Sequence, residues 1–396
     1  MRATYISAGV SRRSSPPASP TLIANAAVNP GNFIEPVTLG PLDTTGANFI
    51  AIVGSTYDTG VGDNRIPPLF ADLVGGTVAN TLFSVTSITQ SGSDMILNGS
   101  FAGGGSNAYA GKNFFVAVNG DSGGQPTNCG GFPCTASSTT TITLTNSAGI
   151  TDATTYKAII TQNLWHYLIR TLDYGNVFMF YAYNAAVGSG HTFVMNTTNL
   201  GGDGGAFALQ AWSNIKSSSN PLVPGSYMFG RGTGVTTDSV GAITSASYSG
   251  TSLTISGNWQ LGDYASLIGT SVTLSGFTGS SSANNGTWTV TSGNSTQLVL
   301  TVISGYNGLA GTPVLKIPVP GANTVIIAGL GGRNNYGTKS IDSGFTITDS
   351  YNGSSQFAQA SMAYKLSSGT AGEAPFWTTA TSTVNMDMCI AAFEHA

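Results

Sequence analysis

The sequence predicts an all-β protein: a duplicated β-sandwich framework, jelly-roll-like, that carries two inserted small β modules. Three observations predict it. Only 8% of the 396 residues are charged and 53 are glycine, yet 41% are hydrophobic and 10% aromatic. That is the profile of many short strands joined by small polar turns, not of a disordered chain. Second, one strand is spelled twice, as "GANFIAIVGS" from Gly46 and "GANTVIIAGL" from Gly321, 275 residues apart. Third, "SVTSITQSGSDMILNGSF" from Ser84 aligns with "GAITSASYSGTSLTISGNW" from Gly241 at an offset near 158. Both stretches alternate apolar and polar residues with the period of half-buried strands.

Taken in chain order, residues 1–45 read as an extended N-terminal arm. Its opening, "MRATYISAGVSRRSSPPASP", lacks the apolar core of a secretory signal, so export by the usual route is not expected if Met1 is the true start. Residues 46–77 together with 162–218 form the first framework unit, and residues 317–396 the second. Ala182–Tyr183 falls on Ala363–Tyr364 and Trp212 on Phe393, both at an offset of 181. Thr155–Leu172 is the one stretch open to a helical reading, but its β-branched content favours strands. Residues 78–161 form the module inserted in the first unit, 219–239 a linker, and 240–316 the second module. Within the modules Gly92 meets Gly250, Gly111 meets Gly269, Phe101 meets Trp259 and Phe132 meets Trp288. Loop tips tolerate such insertions because little backbone hydrogen bonding is disturbed there. Each framework unit alone has too few strands to cover both its faces, so the units are expected to pair, as one jelly roll or as two sandwiches.

The motifs that could carry chemistry are few. "GDSGG" at Gly120–Gly124 resembles the nucleophile loop of chymotrypsin-like serine proteases, with Ser122 as its serine. That chemistry needs a histidine base, and in that family the base precedes the motif, whereas the first histidine here is His166. A polar hairpin loop is the expectation, and the chain is read as non-enzymatic. His166, His191 and His395 are isolated and read as structural polar residues. The acidic loops Asp58–Asn64 and Gly201–Gly205 lack the ligand density of a calcium loop. No metal and no cofactor is expected. Cys129 and Cys134 in "CGGFPC" are a candidate disulfide, geometry permitting, and Cys389 reads as a buried small hydrophobe. Trp212, Trp259 and Trp288 sit where the repeat partner is Phe, which argues for core packing. Trp377, Tyr57, Tyr109, Tyr306, Tyr336 and Tyr351 are candidates for glycan-stacking or subunit contacts.

The spelling "NNGTWTVTSGNSTQLVLT" (Asn284–Thr301) resembles small β modules with an "NGTFTV"-like core, seen in bacteriophage structural proteins and large bacterial surface proteins. The run "GANFIAIVG…AYNAAVGSGHTFVM…AFALQAW" is similar to jelly-roll-type domains of such proteins. The resemblance implies a structural or adhesive role. The net charge of −4, with 13 basic residues mostly scattered singly, gives no stripe for a phosphate backbone, and no apolar run has membrane-spanning length. Neither nucleic acid nor membrane is therefore an expected partner. The first expectation is a virion component (capsid decoration, tail or fibre) that assembles as a homo-oligomer with other virion subunits through sheet edges and the N-terminal arm. The alternative is an extracellular adhesin or filament subunit at a bacterial surface, with surface glycans as ligand.

Overall fold

The computed structural model describes residues 18–28, 36–56, 67–120, 124–168, 177–200, 205–232, 234–332, 337–342, 344–350, 358–369, 371–381 and 386–396. The protein is all-β and sandwich-like. The chain opens with β1 (Thr21–Val28), β2 (Val37–Leu42), β3 (Phe49–Thr56) and β4 (Leu69–Leu73). Six strands of the first module follow: β5 (Leu82–Ser91), β6 (Asp94–Gly99), β7 (Asn113–Val118), β8 (Gly130–Ser137), β9 (Thr141–Thr145) and β10 (Tyr156–Thr161). The chain then returns through β11 (His166–Tyr167), β12 (Val177–Tyr183), β13 (His191–Asn196) and β14 (Gly205–Ser213). Next come β15 (Met228–Gly232) and β16 (Thr237–Ser239). The second module runs β17 (Ile243–Ser249), β18 (Ser252–Gly257), β19 (Trp259–Leu261), β20 (Ser271–Phe277), β21 (Gly286–Asn294), β22 (Gln297–Thr301) and β23 (Gly311–Lys316). The chain closes with β24 (Val325–Gly332), β25 (Lys339–Ile341), β26 (Thr346–Ser350), β27 (Gln359–Leu366), β28 (Phe376–Thr379) and β29 (Met386–Phe393).

The first unit winds alternately between two sheets, ordered β1-β14-β3-β12-β11 and β2-β13-β4. The second unit repeats the winding in β15-β29-β24-β27-β26, extended at its edge by β19, and in β16-β28-β25. Successive strands crossing from one sheet to the other make each unit a jelly roll. Residues 21–28 and 37–42, expected in an extended arm, are therefore framework strands, and so are β15 and β16, expected in a linker. Their alternating or short polar sequences hid them from a search for long apolar runs. Within Thr155–Leu172 the described residues, 155–168, hold β10 and β11.

The two large sheets pack back to back, giving a four-layer stack of two jelly rolls. Along β3, Ile50 and Ile52 face the core of their own jelly roll, while Phe49, Ala51 and Val53 face the core shared with the second. Along β24 the same alternation sends Ile326, Ala328 and Leu330 one way and Val325 and Ile327 the other. Both strands are fully buried, which explains why each is apolar on both faces. The two copies of the repeated strand thus pack against one another. A Cβ on Gly329 would lie 2.3 Å from Val53 Cγ1, so glycine there sets how closely the sheets approach.

Register refines the repeat. Phe49 lies opposite Trp212, and Val325 lies opposite Phe393. The matched residue of Phe49 is therefore Val325, one position beyond the spelling match, because Thr324 is an extra residue at the turn. Tyr364 lies opposite Ile327, and Tyr181 opposite Ala51, so Tyr364 corresponds to Tyr181, two residues from Tyr183. A shift of one residue would exchange the two faces of a strand, so pairing overrides spelling here.

The modules agree residue for residue. Cys134 faces Leu144 as Val290 faces Leu300, and Phe132 faces Phe114 as Trp288 faces Val272. Gly92 and Gly250 hold the same hairpin turn at φ +60° and +63°. The first module is a closed barrel, β10-β5-β6-β9-β8-β7. The second has the same strand order, but β23 reaches the first strand's side only through the bridge from Val314 to Ala242.

Candidate functional site

Asp72 gathers five hydrogen-bond donors around its carboxylate. It stands in β4, in the apolar run "PLFADLV", with its side chain fully buried. Oδ1 accepts from Thr161 Oγ1 at 2.6 Å, from Trp165 Nε1 at 2.9 Å and from the Asn163 N–H at 3.0 Å. Oδ2 accepts from Asn163 Nδ2 at 2.6 Å and stands 2.8 Å from His191 Nε2. Burial pushes the carboxyl pKa up, but the hydrogen bonds from His191, Thr161 and Asn163 outweigh it and hold Asp72 below the ordinary carboxylate value. A carboxylate only accepts, so His191 Nε2 carries the proton between them.

Beyond His191, Nδ1 lies 3.0 Å from Thr44 Oγ1. Hydroxyl, imidazole and carboxylate in series have the connectivity of a nucleophile–base–acid relay. Here the relay is sealed: Thr44 and His191 are both 0% exposed. Thr44 Oγ1 is also held by Gly188, donating to its carbonyl and accepting from its N–H. What the cluster does is tie β4, the return from the first module and the start of β13 into one polar knot. Sequence reasoning placed His191 as a structural polar residue but missed Asp72, Thr44, Thr161 and Asn163. The signal was available in a lone acid within an apolar strand, which must find donors once buried.

One side of the knot borders an open cleft of about 520 Å³ where the first module joins the framework. Leu73, Val78, Phe83 and Ile160 supply apolar wall, with Tyr109, Lys112, Asn113, Thr81 and Gln162 around it. Tyr109 is half-buried: its hydroxyl donates to the Ala102 carbonyl at 2.5 Å and its ring meets Phe83 edge-on at 5.5 Å. Among the aromatic candidates in the described residues, Tyr109 is the one that lines this cleft.

The other candidates separate. Trp377 is fully buried in the core of the second jelly roll, so it cannot stack on a glycan or touch another subunit; its place at the inward-facing centre of β28 is the reason. Tyr306 is 45% exposed at the tip of the second module. Tyr57, Tyr336, Tyr351 and Ser122 lie outside the described residues. The Cys129–Cys134 disulfide is not formed; both side chains are buried. Cys129 is extended and Cys134 lies within β8. At about 3.3 Å per residue the run between them holds their Cα atoms well beyond the about 7 Å that a disulfide spans.

His166 is stacked between Tyr181 and Tyr183, with ring centroids 5.0 and 5.1 Å away, and burial lowers its pKa to about 4. After the "GDSGG" motif, the Gln125 N–H donates to Asp152 Oδ2 and to the Tyr156 hydroxyl, which itself donates to Asp152 at 2.6 Å. These bonds pin the loop flank to the barrel wall.

A device not foreseen from the motifs appears at both module tips. Asn128 and Asn284, 156 residues apart, are each 0% exposed. Asn128 donates to the Ile150 carbonyl and accepts its N–H, both at 2.8 Å. Asn284 donates to the Tyr306 carbonyl at 3.0 Å and accepts its N–H at 2.8 Å. In each case the clamped residue leaves its own side chain 45% exposed. Two buried asparagines thus hold two loops rigid while each presents a large apolar group. No protein-family model, curated protein or solved structure matches the chain.

Proposed function

We propose that this chain is a non-enzymatic structural subunit of a bacteriophage virion, a capsid decoration, tail or fibre component that forms a homo-oligomer with its own copies and other virion subunits. The observation that carries this reading is the repeated tip: the same asparagine clamp presents Ile150 on one module and Tyr306 on the other. Exposed large side chains on a pre-ordered loop suit contact with a neighbour, because little conformational entropy remains to be lost on association. Ile303, 91% exposed, and Leu309 extend the apolar tip of the second module. The low charge content, 8% of residues, fits packed subunit interfaces, whose cores are poor in charge. The polar chemistry of the Asp72 knot is spent on internal bonds, in keeping with a scaffold.

Electron microscopy of phage particles, with antibody against this chain, tests the assignment. Labelling at one repeated position on the particle is expected; particles lacking the chain while bacterial filaments carry it would transfer the role to an extracellular adhesin or filament subunit.

A further inference from the structure

We infer that the cleft between the first module and its jelly roll binds an acidic saccharide, with Lys112 receiving the ligand's carboxylate. The inference stands apart from assembly, since a subunit could assemble with an empty cleft and a monomer could fill it.

Position is the first argument. The cleft lies at a junction of two structural units, where ligand sites concentrate, and its volume of about 520 Å³ is in the range of small-molecule pockets. Both units contribute: Leu73 and Gln162 from the framework side, Val78, Phe83, Tyr109 and Lys112 from the module. Its walls are set by packing, with Phe83 6% exposed and Tyr109 fixed through its hydroxyl.

The second argument is the polarity of the lining. Asp72 is the one carboxylate among the lining residues, and five donors already saturate it. Gln162 spends its Oε1 on the Val74 N–H, which leaves the amide NH₂ as its outward function. Asn113 spends its NH₂ on the Gln162 carbonyl. Thr81 adds a hydroxyl, and Lys112 adds an exposed ammonium with no ion-pair partner among the described residues. The cleft therefore offers one cation, an amide donor, a hydroxyl and an acceptor beside aromatic and aliphatic wall. A ligand matching that set is oxygen-rich, carries one negative charge and has an apolar ring face. An acidic pyranose has all three properties. A neutral sugar leaves the ammonium unanswered, and a purely aliphatic acid leaves the amide and hydroxyl unpaired.

The test uses the full chain and calorimetric titration with three probes: trigalacturonate, a glucuronate disaccharide and sialyllactose, each beside its carboxyl-reduced neutral counterpart. At least one acid is expected to bind saturably, and its neutral counterpart about tenfold or more weakly, the scale of one charge-assisted hydrogen bond. Lys112→Gln, at an exposed turn position, should keep the thermal unfolding curve and bring the acid down to the neutral sugar's affinity. Tyr109→Ala should weaken both forms together. No saturable binding of any acid up to about 10 mM, equal affinity for acid and neutral forms, or an unchanged affinity in Lys112→Gln would each overturn the inference.

Discussion

The two jelly rolls share a winding order but differ in what their interiors contain. In the first, a buried carboxylate gathers Thr161, Asn163, Trp165 and His191 around itself, and Trp165 finds an acceptor for its indole N–H. In the second, Trp377 is equally buried but its Nε1 has no hydrogen-bond partner among the described residues, and the same holds for Trp259 at the root of the second module. The second unit's buried acid, Asp387, is bonded by Arg231, which remains 24% exposed. One topology is thus held by a polar knot in one copy and by largely apolar packing in the other. Winding order follows from which residues alternate between faces; the polar contents of the core are free to diverge.

Breaking the knot should have the largest effect. Asp72→Ala leaves four side-chain donors and a backbone N–H without their acceptor, and a loss of about 3–5 kcal/mol is expected. Asp387→Ala should cost less, about 1–3 kcal/mol, because water reaches the Arg231 side chain. Urea midpoints of the two variants provide the comparison, and equal losses would remove the distinction drawn between the two cores.

The back-to-back packing can be probed at its closest point. Gly329→Val forces a branched side chain into Val53, and about 1–3 kcal/mol of destabilisation is expected. Gly321, with open space where its Cβ would stand, serves as the control; Gly321→Ala should stay within about 0.5 kcal/mol of the parent. Thermal unfolding measures both.

A smaller contrast separates the two tryptophans. Trp165→Phe removes a donor from Asp72, whereas Trp377→Phe removes an indole N–H that has no hydrogen-bond partner among the described residues. Both lose similar packing, so Trp165→Phe should be the worse by about 1–3 kcal/mol. Equal stability changes would contradict the account of the knot.

The pH dependence is confined to the acid side of neutrality. His166 is kept neutral in the fold, with a pKa lowered from 6.5 to about 4, so the unfolded chain binds the proton first as pH falls. Stability attributable to His166 is present above about pH 6.5 and is lost as pH falls toward about 4. His166→Phe, which keeps an aromatic ring between Tyr181 and Tyr183, should flatten that window in melts recorded from pH 7 to 4. Asp72, held ionised, adds a further loss only at lower pH, as pH drops from the ordinary carboxylate range through its lowered pKa.

Much of the architecture was legible in the sequence because strand faces leave a period-2 trace and because the modules kept their spacing. Gly92 and Gly250, Phe132 and Trp288, and Cys134 and Val290 all match in the folded pairing. The framework repeat was legible in outline only. Thr324 inserts one residue before the repeated strand, and nothing in the spelling shows that the pairing absorbs it. β1 and β2 were hidden because an edge or outer strand with one solvated face carries half the apolar signal of β3. The knot was illegible for a different reason. Its members come from Thr44, Asp72, Thr161–Trp165 and His191, and only the closing of the fold brings them together. Trp377 shows the converse error: a lone aromatic outside the repeat match read as a surface contact, while its strand turned it inward.

We propose that the doubled scaffold holds its two clamped tips for contact with neighbouring copies, and light scattering of the full chain across a concentration series tests this proposal. The account predicts a discrete oligomer that Ile150→Asp together with Tyr306→Asp converts to monomer without lowering the melting temperature. A parent protein that stays monomeric at the highest concentration, or an oligomer indifferent to both substitutions, would contradict it.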